Sequence, residues 1–163
     1  MKKSILIACV FVVLMNINCK KDEEFKSYLR FKLENVQIEC DRHIGASYTP
    51  PTINPLQNII SISGSWAGGS IELVLHHGQT LTPGTYIFHP GTYHSGDIWL
   101  PNESYSGMEG GEFNPLVGGS GHIIISEIST DYVKGTFECT LLSLIPGTPL
   151  KVLTNGSFHI RRQ

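Results

Sequence analysis

Charge is scarce in this chain of 163 residues: Asp, Glu, Lys and Arg make up 16%, and the formal net charge is −2. No block of Lys and Arg occurs, which excludes nucleic acid as a partner, because a polyanion needs a concentrated basic face. Outside the N-terminus no apolar run reaches 18 residues, so no membrane-spanning helix is expected. From residue 28 onward no window sustains apolar spacing at three and four, and Gly, Pro, Ser and Thr recur too often for helices. Disorder is excluded in turn by the plentiful Leu, Ile, Val and aromatic residues.

Enzyme signatures are missing as well. There is no G-x-S-x-G, P-loop or dinucleotide fingerprint, and no HExxH, CxxC or His-x-His pattern. Ser120, His122 and Asp131 hold triad residue types, but a triad is defined by geometry. A carboxylate pair for glycoside hydrolysis could be drawn from Asp97, Glu103, Glu109 and Glu112, all in a Gly-rich segment poorly suited to fixing two acids at one spacing. His76 and His77 are adjacent on an expected strand and so point to opposite faces; His89 and His94 flank a Pro-Gly turn. Zinc needs three or four ligands with supporting contacts, and this pattern supplies no such set. The same acids have no spacing of a known calcium loop. Hence no catalytic residue, no metal site and no cofactor is assigned.

What is present begins at the N-terminus. Lys2 and Lys3 precede an apolar stretch of signal-peptide length, residues 5–15 (ILIACVFVVLM), and Cys19 follows it. The pattern resembles a bacterial lipoprotein signal, in which such a cysteine is acylated and becomes the new N-terminus. Cys9 has the better preceding residues, Leu6, Ile7 and Ala8, but cleavage there would leave almost no apolar segment, so Cys19 is the expected lipidation site. Lys20 and Lys21, then Asp22, Glu23 and Glu24, resemble the surface-export signal of Bacteroidota lipoproteins. The expected organisation is a signal peptide over 1–18, a lipidated cysteine with an acidic tether over 19–27, and a single β-domain over 28–163. Removing residues 1–18 takes away two lysines and no acid, leaving 10 basic and 14 acidic residues, a net of −4. The expected location is the outer membrane, lipid-anchored and facing the exterior, with the membrane as a partner through the anchor.

The period that recurs is two. Leu29, Phe31 and Leu33 alternate with Arg30 and Lys32; Val36, Ile38 and Cys40 with Gln37 and Glu39; Ile71, Leu73 and Leu75 with polar neighbours. Val133, Phe137, Cys139 and Leu141 share a face opposite Lys134, Thr136, Glu138 and Thr140. Isoleucine-rich runs over 59–65 and 122–128, and Phe158 with Ile160, add further strands. Breaks such as Pro83-Gly84, Pro90-Gly91 and residues 129–131 carry turn residues. The expected fold is all-β: an antiparallel β-sandwich or small barrel of about seven to nine strands.

Residues 90–121 depart from this pattern. They hold eight of the seventeen glycines and only short strand-like pieces such as 97–100. A long irregular segment inside a compact domain is commonly functional. Tyr93, Trp99, Tyr105 and Phe113 alternate there with Asp97, Asn102, Glu103 and Asn114, combining stacking faces with hydrogen-bonding tips. Such combinations recognise sugars and protein surfaces, so Tyr93, Asp97, Trp99, Asn102, Glu103 and Tyr105 are the ligand-binding candidates. For Trp99 or Phe113 taken alone, pinning the loop to the sheet is the competing role.

Three segments, TPGTYIF, VKGTFECTL and LTNGSFHI, resemble a family of small Bacteroidota lipoproteins of unknown function. In that family Gly-Thr-Tyr, Gly-Thr-Phe and terminal Thr-Asn/Asp-Gly-x-Phe strands follow in this order. The chain departs from the pattern at Asn35-Val36, where Asn-Gly and a Trp are usual. The resemblance implies an all-β lipoprotein domain and supplies no catalytic residues.

Cys40 and Cys139 are the thiols left to the head, both on apolar strand faces. In an oxidising compartment they could form a disulfide worth about 4 kcal/mol in the chain-entropy model, or remain two separate buried thiols. The functional expectation is a non-catalytic binding module for a glycan or an envelope or host protein, acting through residues 90–118. A structural or accessory subunit of an envelope complex is the alternative, and a hydrolase the least favoured.

Overall fold

The computed structural model describes residues 25–49, 58–77, 80–88, 94–106, 120–143 and 149–163. These form eleven strands: β1 (Tyr28–Leu33), β2 (Val36–Glu39), β3 (Arg42–Thr49), β4 (Asn58–Trp66), β5 (Gly69–His77), β6 (Gly84–Phe88), β7 (Ser95–Leu100), β8 (Glu103–Ser106), β9 (Ser120–Ile128), β10 (Tyr132–Ser143) and β11 (Lys151–Arg161). The all-β expectation holds, with more strands than the seven to nine foreseen. Lys20–Glu24 and Cys19 lie outside the described residues.

The strands form one antiparallel sheet curled over on itself. One layer runs β2-β1-β11-β10-β9-β6, and the other β8-β7-β5-β4-β3. β10 belongs to both: Tyr132 to Leu141 pair with β11, while Leu142 and Ser143 pair with Ser106 and Tyr105 of β8. A parallel bridge between Ala46 and Arg162 ties β3 back to the chain end.

Alternation explains the layers. In β10, Val133, Phe137, Cys139 and Leu141 are buried, while Lys134, Thr136 and Glu138 face outward. β5 does the same with Ile71, Leu73 and Leu75. Phe31 of β1 sets its edge on Trp66 of β4 across the core, with ring centroids 5.6 Å apart. Among the described residues, the buried apolar side chains of the core lie between Leu29 and Ile160. The head thus has a hydrophobic core of its own, the condition for folding as a unit.

One expectation needs correction, and one pair of alternatives is narrowed. Val36 was placed on the buried face of its strand, but it is 62% exposed. Glu34 and Asn35, with φ of 50° and 72°, make a two-residue turn of the primed hairpin type, and the residue leaving it sits on an edge strand. The alternatives concern the thiols. Cys40 and Cys139 are both buried and free, with no bridge between them. Cys40 packs on Gly64 of β4, and Cys139 faces Gly96 of β7. Those two glycines are two strands apart and two residues out of step, which puts the thiol sites about 10–12 Å apart, beyond disulfide reach. Burial pushes both thiols up to about 12, with Asp41 and Glu39 adding to Cys40 and Asp97 to Cys139.

Residues 25–27, assigned to the tether, are packed onto the head. Ser27 Oγ accepts a hydrogen bond from the Arg161 N–H at 3.1 Å, and the Phe25 ring lies 4.4 Å from that of His159.

Candidate functional site

Part of the Gly-rich segment is more regular than its composition suggests. Between Ser95 and Ser106 it forms a tight hairpin, β7 and β8, joined at Pro101-Asn102. β7 pairs with β5, because β6 leaves to join β9 in the other layer. This insertion of β7 beside β5 creates the site.

Ile62, Ile71 and Ile98 point into the core, so their strand neighbours must point out. Register then builds outward-facing rows. One row reads Ser63, Glu72, Asp97 and Ser106; the next reads Ser65, Ser70, Trp99 and Ser104. A third places Ser61, Val74 and Ser95 side by side. The result is a hydroxyl-lined sheet face with two carboxylates near its centre and one indole, Trp99, 44% exposed. His43, Ser63, Ser65, Ser70, Glu72 and Trp99 border an open depression of about 280 Å³. His43 Nδ1 lies 3.1 Å from Ser65 Oγ, and Ser65 donates to the Arg42 carbonyl at 3.1 Å.

The carboxylates are held on this face by hydroxyls. Ser61 donates to Glu72, and Asp97 takes hydrogen bonds from Ser106 and Ser95. Asp97 is nevertheless raised above the ordinary carboxylate range, chiefly by burial and further by the Glu72 charge, which outweigh the serine bonds. Like charges directly opposite on a sheet destabilise it. A raised folded value means that Asp97 favours folding below the unfolded carboxylate range, and that this contribution is lost as pH rises through the folded value. Asp97→Asn should therefore raise the urea midpoint at neutral pH. The gain should shrink toward acid, where wild-type Asp97 is already protonated; a midpoint that falls at neutral pH would contradict this electrostatic picture.

The candidates from sequence divide as follows. Asp97 and Trp99 share the face. Asn102 and Glu103 sit at the exposed hairpin end, where Glu103 accepts from the Tyr105 hydroxyl. Tyr105 is no stacking platform: it is 2% exposed and belongs to the core. Tyr93, Glu109, Glu112, Phe113 and Asn114 lie outside the described residues. The acid facing Asp97 is Glu72, not one drawn from its own segment. His122 and Asp131 lie at or beyond opposite ends of β9, at least about 20 Å apart along the strand, so they form no triad with Ser120.

His76, His77 and His94 serve packing. His76 donates its backbone N–H to His94 Nδ1 at 3.2 Å, and Tyr86 receives the edges of His77 and His94 at 5.6 and 5.8 Å. Among the described residues no group of three or more His, Cys, Asp or Glu is placed to hold a metal ion.

Sequence reasoning missed Glu72, His43 and the serine rows. The signal was present in ISISGSW, where serine alternates with isoleucine and glycine over residues 60–66. Comparison with protein families, curated proteins and solved structures finds no match to this chain.

Proposed function

We propose that this protein is a lipid-anchored, surface-displayed β-domain that binds a glycan on the outer face of β4, β5, β7 and β8. The observation that carries this reading is the exposed Trp99 indole set among serine hydroxyls and the Glu72–Asp97 pair. An indole offers an apolar plane to the C–H face of a sugar ring, while carboxylates and hydroxyls satisfy its alcohols. The face is nearly free of large aliphatic side chains, which favours a hydroxylated ligand over a protein core contact. The lipoprotein-like signal that precedes Cys19 supports display outside the cytoplasm.

Screening the mature protein on a glycan array tests the proposal. Trp99→Ala should weaken any detected binding about tenfold or more, as loss of a central aromatic contact does, and leave the melting temperature nearly unchanged. Binding retained within twofold by a folded Trp99→Ala protein would overturn the assignment.

A second reading, an accessory subunit of an envelope complex, has its own observation. Ile87 and Ile124 are diagonal neighbours on β6 and β9, 56% and 36% exposed. A stable hetero-complex on native-size analysis that dissociates with Ile87→Asp would favour it.

A further inference from the structure

The two outer faces of the head differ in charge. β4, β5, β7 and β8 contain no Lys or Arg. Residues 25–163 hold eight basic side chains. Arg30, Lys32, Lys134 and Arg161 lie on the outer face of β1, β11 and β10, with Lys26 and Arg162 at its rim. Among the described residues the acids on this side are Glu39, Glu127, Asp131 and Glu138, and Glu127 is engaged by the Tyr132 hydroxyl.

Aromatic rings are interleaved with these cations. His159 is the hub: Phe25, Tyr132 and Tyr28 approach it at 4.4, 5.0 and 6.1 Å. The Arg161 guanidinium stands 5.4 Å over Phe25, and that of Arg30 stands 5.0 Å over Tyr28. Phe25, Tyr132, Arg161 and Arg162 border an open depression of about 490 Å³, with Thr130 and Asp131 completing its rim. Aromatic rings with one polar edge and guanidinium groups that chelate phosphate are the side chains suited to a headgroup layer.

Chain length fixes where this face sits. Five residues separate Cys19 from Phe25, six Cα-to-Cα steps with a reach of at most about 20 Å. We infer that the outer face of β1, β10 and β11 around Phe25 docks on the anionic phosphate headgroups of the membrane, holding the Trp99 face outward. Its geometry rests on the anchor at Cys19; its charge and aromatic content do not.

The head, residues 25–163, can be sedimented with vesicles of phosphatidylcholine alone or mixed with phosphatidylglycerol. It should partition onto the mixed vesicles at low ionic strength and be released by salt. Arg30→Glu, Lys134→Glu and Arg161→Glu together should lower partition about tenfold or more, with Trp99→Ala without effect. Phe25→Ser, at the rim and outside the strands, gives a second variant with an expected loss if the triple change impairs folding. Equal binding to both vesicles, or retention by a folded charge-reversed head, would overturn the docking surface. Fatty-acid labelling of the full chain at Cys19 reads the anchor separately, so failure of one is distinguishable from failure of the other.

Discussion

Phe137→Ala lowers the stability of the head by about 3–5 kcal/mol, the cost of an unrelaxed cavity left by a core aromatic. Phe137 is 1% exposed and touches the rings of Phe31 and Phe158 at centroid distances of 6.0 and 6.4 Å. Its ring lies over Gly156 of the neighbouring strand: a Cβ there would stand 2.6 Å from two ring carbons. The arrangement is reciprocal, since Phe158 faces Gly135 across the same pair of strands. A Cβ on Gly135 would meet Phe158 Cζ at 2.6 Å and the Ile124 carbonyl oxygen at 2.1 Å. The Gly156→Ala clash is with the ring and, also at 2.6 Å, with the Phe137 carbonyl oxygen, so ring movement relieves only part of it; overpacking of this kind costs about 1–3 kcal/mol. For Gly135→Ala the backbone oxygen stands closer, at 2.1 Å, so the larger loss is expected there. Urea unfolding of the three variants checks the order. A Phe137→Ala loss below about 1 kcal/mol would mean that β10 and β11 do not pair in this register.

That reciprocal pair shows what was legible in the sequence. VKGTFECTL and LTNGSFHI each carry glycine two positions before phenylalanine, and period two puts both on the buried face. Local pattern could not tell that each glycine faces the other strand's phenylalanine, because register between distant strands is a non-local property. β3 was overlooked for another reason. Its inward residues Ile44, Ala46 and Tyr48 alternate, but alanine gives little apolar signal, and Arg42 to Gly45 carry a register irregularity with His43 at φ 49°. The hairpin β7–β8 was read as irregular because glycine abundance across residues 90–121 outweighed its two short alternating runs. The site suffered most from this limit. Glu72 and Asp97 meet only because β5 skips β6 to pair with β7, and no property of either residue's neighbourhood announces that pairing.

Tyr105→Ala unfolds the protein sooner than it unbinds a ligand, and this separates the two aromatics that sequence placed in one loop. Tyr105 is buried at the junction of β8 with β10, where Ser143 pairs with it. Lys151 Nζ stands 5.5 Å over its ring and is itself bound to Glu34 Oε2 at 2.8 Å, so the tyrosine closes a contact linking β8, β11 and the β1–β2 turn. Its hydroxyl is raised to about 12, first by the hydrogen bond to Glu103 and then by burial, and stays protonated as the donor. Alanine at 105 removes the ring and opens a cavity, for an expected loss of about 3–5 kcal/mol, as for other core aromatics. Tyr105→Phe keeps the ring and loses one hydrogen bond to an exposed acid, for about 1 kcal/mol. Trp99, one register position from the carboxylate row and 44% exposed, should do the reverse: stability nearly unchanged, ligand affinity down. Thermal melts and binding run on the same three variants test the division. If Tyr105→Ala melted like the wild type, with binding lost, the ring would be serving the ligand and the face around Trp99 would not be the site.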